Sequence, residues 1–180
     1  MIRQILIAFA LASVTGCGSG PVTANGGEQS LPALTGRVVD NANLLAPARE
    51  ATLTTKLAEL ESSTSDQLIV VTLPDLEGRT IEATGLRLGK GWGIGRENLD
   101  NGVLLVVAPQ ERKVRIEVDY GLEGLLTDAR AADIVRRMVP EFKAGRYEDG
   151  IVTGVDAIRE RLESDRRRPQ RLEHKIKAAA

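Results

Sequence analysis

The sequence predicts an α/β fold in which helices pack on a short mixed β-sheet, and three observations lead to this prediction. First, the apolar runs Gln67–Leu73 and Val103–Val107 flank a segment with helical spacing, so we expect two parallel strands joined by a right-handed crossover. Second, a short turn at Pro109–Arg112 leads into Val114–Val118, and a hairpin makes these strands antiparallel. Third, apolar stripes at helical spacing come before and after the strands.

The folded part is expected to begin with a short strand and an amphipathic helix. Val38-Val39-Asp40 is predicted to be extended. A helix should start near Pro47, because proline is favourable in the first turn. Leu53, Leu57 and Leu60 then recur at i, i+4 and i+7, which predicts one face buried against a core.

A second helix is predicted between the two parallel strands, over Thr80–Trp92. Its stripe consists of Ile81, Gly85, Leu88 and Trp92. In the strand after the hairpin, apolar residues alternate with Arg115, Glu117 and Asp119. This alternation predicts one buried face and a position near the sheet edge.

Two further helices are expected after the sheet. The first has the apolar stripe Ala131, Ile134 or Val135, and Met138. Thr127 or Asp128 would cap its start, and Pro140 interrupts the pattern, so residues 140–146 are expected to form an irregular link. The stripe of the last helix is Ile151, Val155, Ile158 and Leu162.

Residues 1–16 are predicted to be a lipoprotein signal peptide. Arg3 precedes the apolar run Ile5–Val14, which is too short to span a bilayer because a span needs about 20 residues. The run leads into Val14-Thr15-Gly16-Cys17, which resembles the box that carries the lipidated cysteine of bacterial lipoproteins. Cys17 is the only cysteine, so no intramolecular disulfide can form. The alternative is a plain secretory signal with an incidental cysteine.

The rest of the chain is divided into a tether, one domain and a tail. Residues 17–34 are rich in Gly, Ser, Pro, Thr and Asn and are expected to be flexible. Residues 35–164 form the domain, and the basic segment 165–180 is expected to be a disordered, solvated tail. The alternative for the tail is a contact with anionic lipid or another partner.

Anchoring through Cys17 would hold the domain at a membrane of the cell envelope, on its extracytoplasmic side. That side is the periplasm if the cell has two membranes. The formal net charge of −1 gives no sign of a nucleic-acid partner.

The register of the hairpin predicts an acidic site at one end of the sheet. With a short turn, Gly102 should face Asp119 and Asp100 should face Gly121. Asp128 follows at the start of the next helix, so we expect Asp100, Asp119 and Asp128 to gather there. Acids that close repel one another unless a cation or a proton intervenes, and their hard oxygens suit Ca²⁺ or Mg²⁺.

A series of short motifs runs in order from about residue 34 to residue 162. They are Val39-Asp40-X-Ala42-X-Leu44-Leu45, Leu73-Pro74-Asp75-Leu76, Trp92-Gly93-Ile94-Gly95, Asp100-Asn101-Gly102-Val103-Leu104-Leu105, Arg112-Lys113-Val114-Arg115-Ile116-Glu117, Tyr120-Gly121-Leu122-Glu123-Gly124-Leu125-Leu126-Thr127-Asp128, and Pro140 with Phe142, Tyr147 and Gly150-Ile151. As a set they resemble the TPM domain. This is the family of a thylakoid lumen protein with reported acid phosphatase activity and of related bacterial membrane-associated proteins.

The resemblance implies a three-layer α/β/α sandwich around a short mixed sheet. It also implies a groove whose acids hold a divalent cation, calcium in some members. The matching positions are Asp40, Asp100, Glu117 and Asp128. Asp119 stands where the family usually has glycine, so it adds a negative charge beside the site or else a strained turn, and it is a fifth candidate ligand.

Each candidate acid also has a plain structural explanation. Asp128 would cap a helix, Asp100 and Asp40 would fix turns, and Glu117 would be exposed on a polar strand face. No catalytic residue is assigned, because His174 is the only histidine and lies in the tail. Lipidation leaves no thiol, and neither a phosphate-binding loop nor an HExxH motif is present.

Two functional interpretations stay open. In the first, the protein is a lipid-anchored accessory or interaction module of the cell envelope, whose acidic groove binds Ca²⁺ or Mg²⁺ and an envelope protein partner. In the second, it is a metal-assisted acid phosphatase. There, a cation polarises a phosphoryl oxygen and activates water, and arginines such as Arg96 orient the phosphate. The residues favour the first, because they offer no nucleophile and no cluster of cationic donors.

Overall fold

The structure is a computed structural model that describes residues 31–96 and 99–178, with side-chain environments as far as residue 164. Its strands are β1 (Val38–Asp40), β2 (Gln67–Thr72), β3 (Gly102–Ala108) and β4 (Lys113–Val118). Its helices are α1 (Pro47–Thr64), α2 (Ile81–Trp92), α3 (Asp128–Lys143) and α4 (Tyr147–Ala178), and a short 3₁₀ turn covers Tyr120–Leu122.

The four strands form one mixed sheet in the order β1-β2-β3-β4. The first three are parallel, and β4 pairs with β3 in the antiparallel direction. Val103 lies opposite Val118, and the backbone N–H of Asp119 donates to the carbonyl oxygen of Gly102 at 2.9 Å. The crossover, the hairpin and its predicted register are therefore confirmed.

The helices cover both faces of the sheet, which makes the fold a three-layer α/β/α sandwich. Helices α1, α3 and α4 share one core with the sheet, which includes Leu53, Leu57, Leu60, Met138, Ile151, Val155, Ile158 and Leu162. Helix α2 covers the other face with Ile81 and Leu88. Every residue of β3 is buried, because the central strand has helices on both sides.

One predicted link is wrong. Residues 140–143 belong to α3, with Pro140 inside the helix, and only residues 144–146 separate α3 from α4. Pro140 is exposed, so water can reach the carbonyl group that loses its N–H partner. The carbonyl oxygen of Pro140 still accepts from Ala144 N at 3.1 Å, and Gly145 turns the chain with a φ of +76°.

At both ends, the described structure continues beyond the predicted domain boundaries at residues 35 and 164. Leu31 and Pro32, which the sequence assigns to the tether, contact α2: Trp92 Nε1 donates to Pro32 O at 2.9 Å, and Leu31 packs on the α2 core. Helix α4 continues to Ala178 and so includes residues 165–178 of the segment that the sequence predicts to be a disordered tail. The predicted signal peptide and Cys17 lie outside the described residues. None of the helices in the described ranges has the length and hydropathy of a membrane span.

Candidate functional site

Asp100 and Asp119 meet in a pocket of about 450 Å³ between α2 and the end of β4. Glu117 lies on its wall, Lys90 comes from α2, and Tyr120 comes from the 3₁₀ turn. We call this the acidic pocket. Three of the five candidate ligands therefore share one cavity at the end of the sheet where β3 begins.

The carboxylate of Asp119 packs against two glycines, Gly95 and Gly102. Its Oδ2 accepts from Gly102 N at 3.1 Å. A Cβ atom built on Gly95 or on Gly102 would lie 2.5 Å from that oxygen, which is closer than real Cβ contacts, so both positions require glycine. Asp119 itself has a φ of −73°, in the ordinary extended region. Of the two alternatives that the sequence offered for this position, the strained turn is therefore wrong, and Asp119 adds a negative charge beside the site.

Asp100 occupies a turn that backbone contacts fix. Its φ is +45°, its N–H donates to Arg96 O at 3.1 Å, and its carbonyl oxygen accepts from Gly121 N at 3.0 Å. The next residue, Asn101, is 4% exposed, and its side chain donates to Ser65 O at 2.6 Å. The turn explains why an aspartate is tolerated here, but none of the hydrogen bonds among the described residues uses the carboxylate of Asp100.

The electrostatics of the acidic pocket are unfavourable to a second negative charge. Burial raises the pKa of Asp119 above its ordinary value, and the charge of Asp100 raises it further, while the hydrogen bond from Gly102 N opposes the rise. Asp119 therefore carries its charge at a cost, and a cation between the two carboxylates would relieve it.

Glu117 is partly neutralised by its neighbour on β4. Arg115 Nε donates to Glu117 Oε1, and Arg115 Nη2 donates to Oε2 at 3.2 Å. The pair lies over α2 where Gly85 leaves room, because a Cβ at Gly85 would be 2.7 Å from Glu117 Oε1. Glu117 is half-buried rather than exposed, and its charge is committed to the arginine.

Asp128 lies next to the acidic pocket but not in it. It lines an adjoining cavity of about 410 Å³ with Arg115, Glu117 and Glu123. Thr127 is the residue that caps α3, because its side chain accepts from the N–H of the third residue after it, at 3.4 Å. Asp128 begins the helix, where a negative charge is favourable.

Asp40 lies at the opposite end of the sheet. It is opposite Thr72, which is opposite Val107, whereas Asp100 precedes the first residue of β3. Parallel pairing carries the end of β1 to the end of β3, so Asp40 cannot join Asp100 in one site. Its carboxylate instead accepts from Leu44 N at 3.1 Å and Leu45 N at 2.8 Å.

A preformed metal cage is not part of the described residues. In residues 31–96 and 99–164, no three Asp, Glu, His or Cys side chains are grouped closely enough to hold one ion. The donors that fit a hard cation are the carboxylates of Asp100 and Asp119, and two carboxylates are an incomplete ligand set for calcium.

The sequence did not predict the apolar rim of the acidic pocket. The rim comprises Leu86, which is 55% exposed, Leu99, which is 51% exposed, and Tyr120, which is 81% exposed. Leu86 and Tyr120 line the cavity, and Leu99 directly precedes Asp100. The sequence did contain one signal that β4 lies close to α2. This signal is Gly85, a glycine within the otherwise apolar stripe of α2.

Comparison with known proteins identifies the family. Residues 38–161 match the model of the TPM domain. A solution NMR structure of the N-terminal domain of a protein from P. gingivalis is 37% identical, with a TM-score of 0.68, over 72% of this chain and 83% of that chain. No curated protein sequence is significantly similar.

Two more distant NMR structures share the fold. The N-terminal domain of the cg2496 protein from Corynebacterium glutamicum is 20% identical, with a TM-score of 0.53, over 76% of this chain and 84% of that chain. The BA42 protein from Bizionia argentinensis is 21% identical, with a TM-score of 0.59, over 67% of this chain and 82% of that chain. With most of its folded part matched by the family model, this chain belongs to the TPM domain family.

Proposed function

We propose that this TPM domain is a lipid-anchored binding module of the cell envelope that takes a cation in its acidic pocket. The observation that carries the proposal is the placement of Asp100 and Asp119 in one cavity, where burial and mutual repulsion raise the pKa of Asp119. A site that penalises its own negative charge gains free energy when a positive charge enters.

Calcium is the first candidate for that charge, and magnesium the second. Asp100 and Asp119 supply two hard oxygen donors, and water or a partner's oxygen atoms would supply the others. Because no third acidic, His or Cys side chain in the described part of the chain completes the set, we expect binding in the millimolar range that extracellular calcium modules use.

An envelope protein is the expected partner, and the rim of the acidic pocket supports this. Leu86 and Tyr120 are large apolar side chains that are exposed and line a negatively charged cavity, and Leu99 is an exposed apolar residue next to Asp100 in the chain. Apolar residues grouped around a charged site are typical of interaction surfaces. A lysine or arginine of the partner would meet the same carboxylates, and Tyr120 offers a ring for a cation–π contact.

The lipid anchor at Cys17 is proposed from the sequence. The basic start, the apolar run and the lipidation box end at Cys17, and this order supports an anchor that would hold the domain on the extracytoplasmic side of a membrane. Cys17→Ser should move the protein from the membrane fraction to the soluble fraction of lysed cells. Retention of the variant at the membrane would contradict the anchor.

Acid phosphatase activity has less support than cation binding. Asp100, Glu117 and Asp119 line the acidic pocket and Lys90 is the cationic residue among its lining, so the field there repels a phosphate group. In a phosphate-release assay, we expect no difference between the wild-type protein and Asp100→Ala. A loss of release that follows this substitution would favour the phosphatase.

Calcium titration followed by amide NMR tests the proposal directly. We expect saturable shifts at millimolar calcium that concentrate on Lys90, Gly102 and Tyr120. Asp100→Asn should abolish them, whereas Asp133→Asn, at an exposed acid on α3 that pairs with Arg136, should keep them. An equal ionic strength of sodium chloride controls for screening. Absence of shifts around Asp100 would contradict cation binding in the acidic pocket.

A further inference from the structure

We propose that a second pocket, at the opposite end of the sheet, binds small organic acids in which one anionic group is joined to an aromatic or aliphatic body. This cavity of about 420 Å³ lies between the hairpin and the α3–α4 connection. Its lining includes Val107, Arg112, Lys113, Lys143 and Tyr147, and we call it the basic pocket. Its volume falls in the range of about 300–1,000 Å³ that is typical of small-molecule sites.

Apolar residues form most of the wall of the basic pocket. Val107 and Ala108, at the end of β3, are 1% and 0% exposed. Phe142 and Tyr147 stack with their ring centroids 5.3 Å apart and their planes at 26°. Gly150 permits this packing, because a Cβ there would lie 2.5 Å from Phe142 Cδ1. An aromatic or aliphatic body placed against these walls would be taken out of water.

The charges of the basic pocket are positive, and two of its three cations have no acidic partner among the described residues. Arg112, Lys113 and Lys143 line it, and none of the ion pairs within 4 Å among the described residues involves any of them. The charge of Lys113 nevertheless acts on Glu82 of α2, where it helps to lower the pKa of that carboxyl group. The nearby acids are used elsewhere: Arg146 Nε lies 2.5 Å from Glu141 Oε2 and 3.8 Å from an Asp149 oxygen. A ligand with one anionic group would therefore meet Arg112 and Lys143, which have no acidic partner among the described residues, and also Lys113, whose charge Glu82 partly offsets.

The position of the basic pocket suits a binding site. It adjoins the carboxyl end of β3, and ligands of open α/β sheets commonly bind outside the carboxyl ends of the strands. Two residues with positive φ fix the turns beside it, Arg112 at +55° and Gly145 at +76°. The basic pocket shares no lining residue with the acidic pocket, so the two proposals can fail separately.

Two matched fluorescent probes test the proposal: 8-anilinonaphthalene-1-sulfonate and N-phenyl-1-naphthylamine, which has the same aromatic body without the sulfonate. We expect the sulfonate to bind saturably and to shift the amides of Val107, Lys113 and Tyr147. Lys143→Glu should weaken it about tenfold or more, which corresponds to about 1.4 kcal/mol. The neutral probe should bind weakly and should not respond to this substitution.

Two further variants make the result decisive. Val139→Phe keeps all three cations but fills part of the cavity that Val139 lines, so it should also weaken the sulfonate. Arg136→Ala removes an exposed cation that pairs with Asp133 and should change nothing. Equal affinity for both probes, amide shifts away from the cavity, or equal losses in Lys143→Glu and Arg136→Ala would each overturn the proposal.

Discussion

Replacing Asp40 by alanine should destabilise the domain without removing its response to cations. Asp40 Oδ1 accepts from Leu44 N at 3.1 Å, Oδ2 accepts from Leu45 N at 2.8 Å, and Thr72 Oγ1 donates to Oδ1. These bonds tie the loop after β1 to β2. The carboxylate therefore has a structural use at the end of the sheet away from the acidic pocket.

The size of the effect follows from these three bonds. Each hydrogen bond contributes about 1 kcal/mol and bonds to a charged group contribute more, so Asp40→Ala should cost about 3 kcal/mol. Thr72 is 0% exposed, so water cannot readily replace the carboxylate as the acceptor for its hydroxyl. Native domains have about 5–15 kcal/mol of stability, so the variant should remain folded.

Urea unfolding followed by circular dichroism measures this cost. With an m-value of about 2 kcal/mol per molar urea, we expect the midpoint of Asp40→Ala to fall by about 1.5 M. Asp156→Ala is the matched control, because it removes an exposed pair with Lys56 at 2.8 Å that is worth at most about 1 kcal/mol. If Asp40→Ala costs no more than the control, the carboxylate is not needed for folding and the structural role given to its hydrogen bonds is wrong.

Three further substitutions test how the acidic pocket and its surroundings are built. Burial raises the pKa of Asp119 above the unfolded value, so its ionised form opposes folding at neutral pH. Asp119→Asn should then unfold at higher urea than wild type near pH 7, and the difference should vanish below about pH 3. Gly121→Ala should cost about 1–3 kcal/mol in urea unfolding, since its Cβ would lie 2.8 Å from the backbone oxygen of Asp100. Thr127→Ala should cost about 1 kcal/mol in thermal unfolding through loss of the α3 cap; no measurable loss would contradict that role.

The fold was predictable because local patterns and hairpin geometry fix it. The run Gln67–Leu73 had to be buried on both faces, and the short turn at Pro109–Arg112 left one register in which Gly102 faces Asp119. The prediction that the helix ends at Pro140 was wrong, because a proline on an exposed face near a helix end does not have to stop the helix. It removes one backbone hydrogen bond, and water can satisfy the carbonyl group that is left without a partner.

The candidate site was predictable only in part. Hairpin register brings Asp100 and Asp119 together, since both belong to one local unit. The position of Asp40 depends on the pairing of β1 with β2, and this order places it at the far end of the sheet. The pairing of Glu117 with Arg115 depends on side-chain directions on an edge strand, which alternation alone does not specify.

The most direct test of the account is the pKa of the Asp119 side chain, measured by carbon NMR of its carboxyl group with and without calcium. Without the ion, the pKa should lie above the ordinary aspartate value because of burial and the charge of Asp100. A cation held between the two carboxylates favours the ionised form, so calcium should lower the pKa. A pKa that stays raised at saturating millimolar calcium would contradict the proposal that the acidic pocket binds a cation.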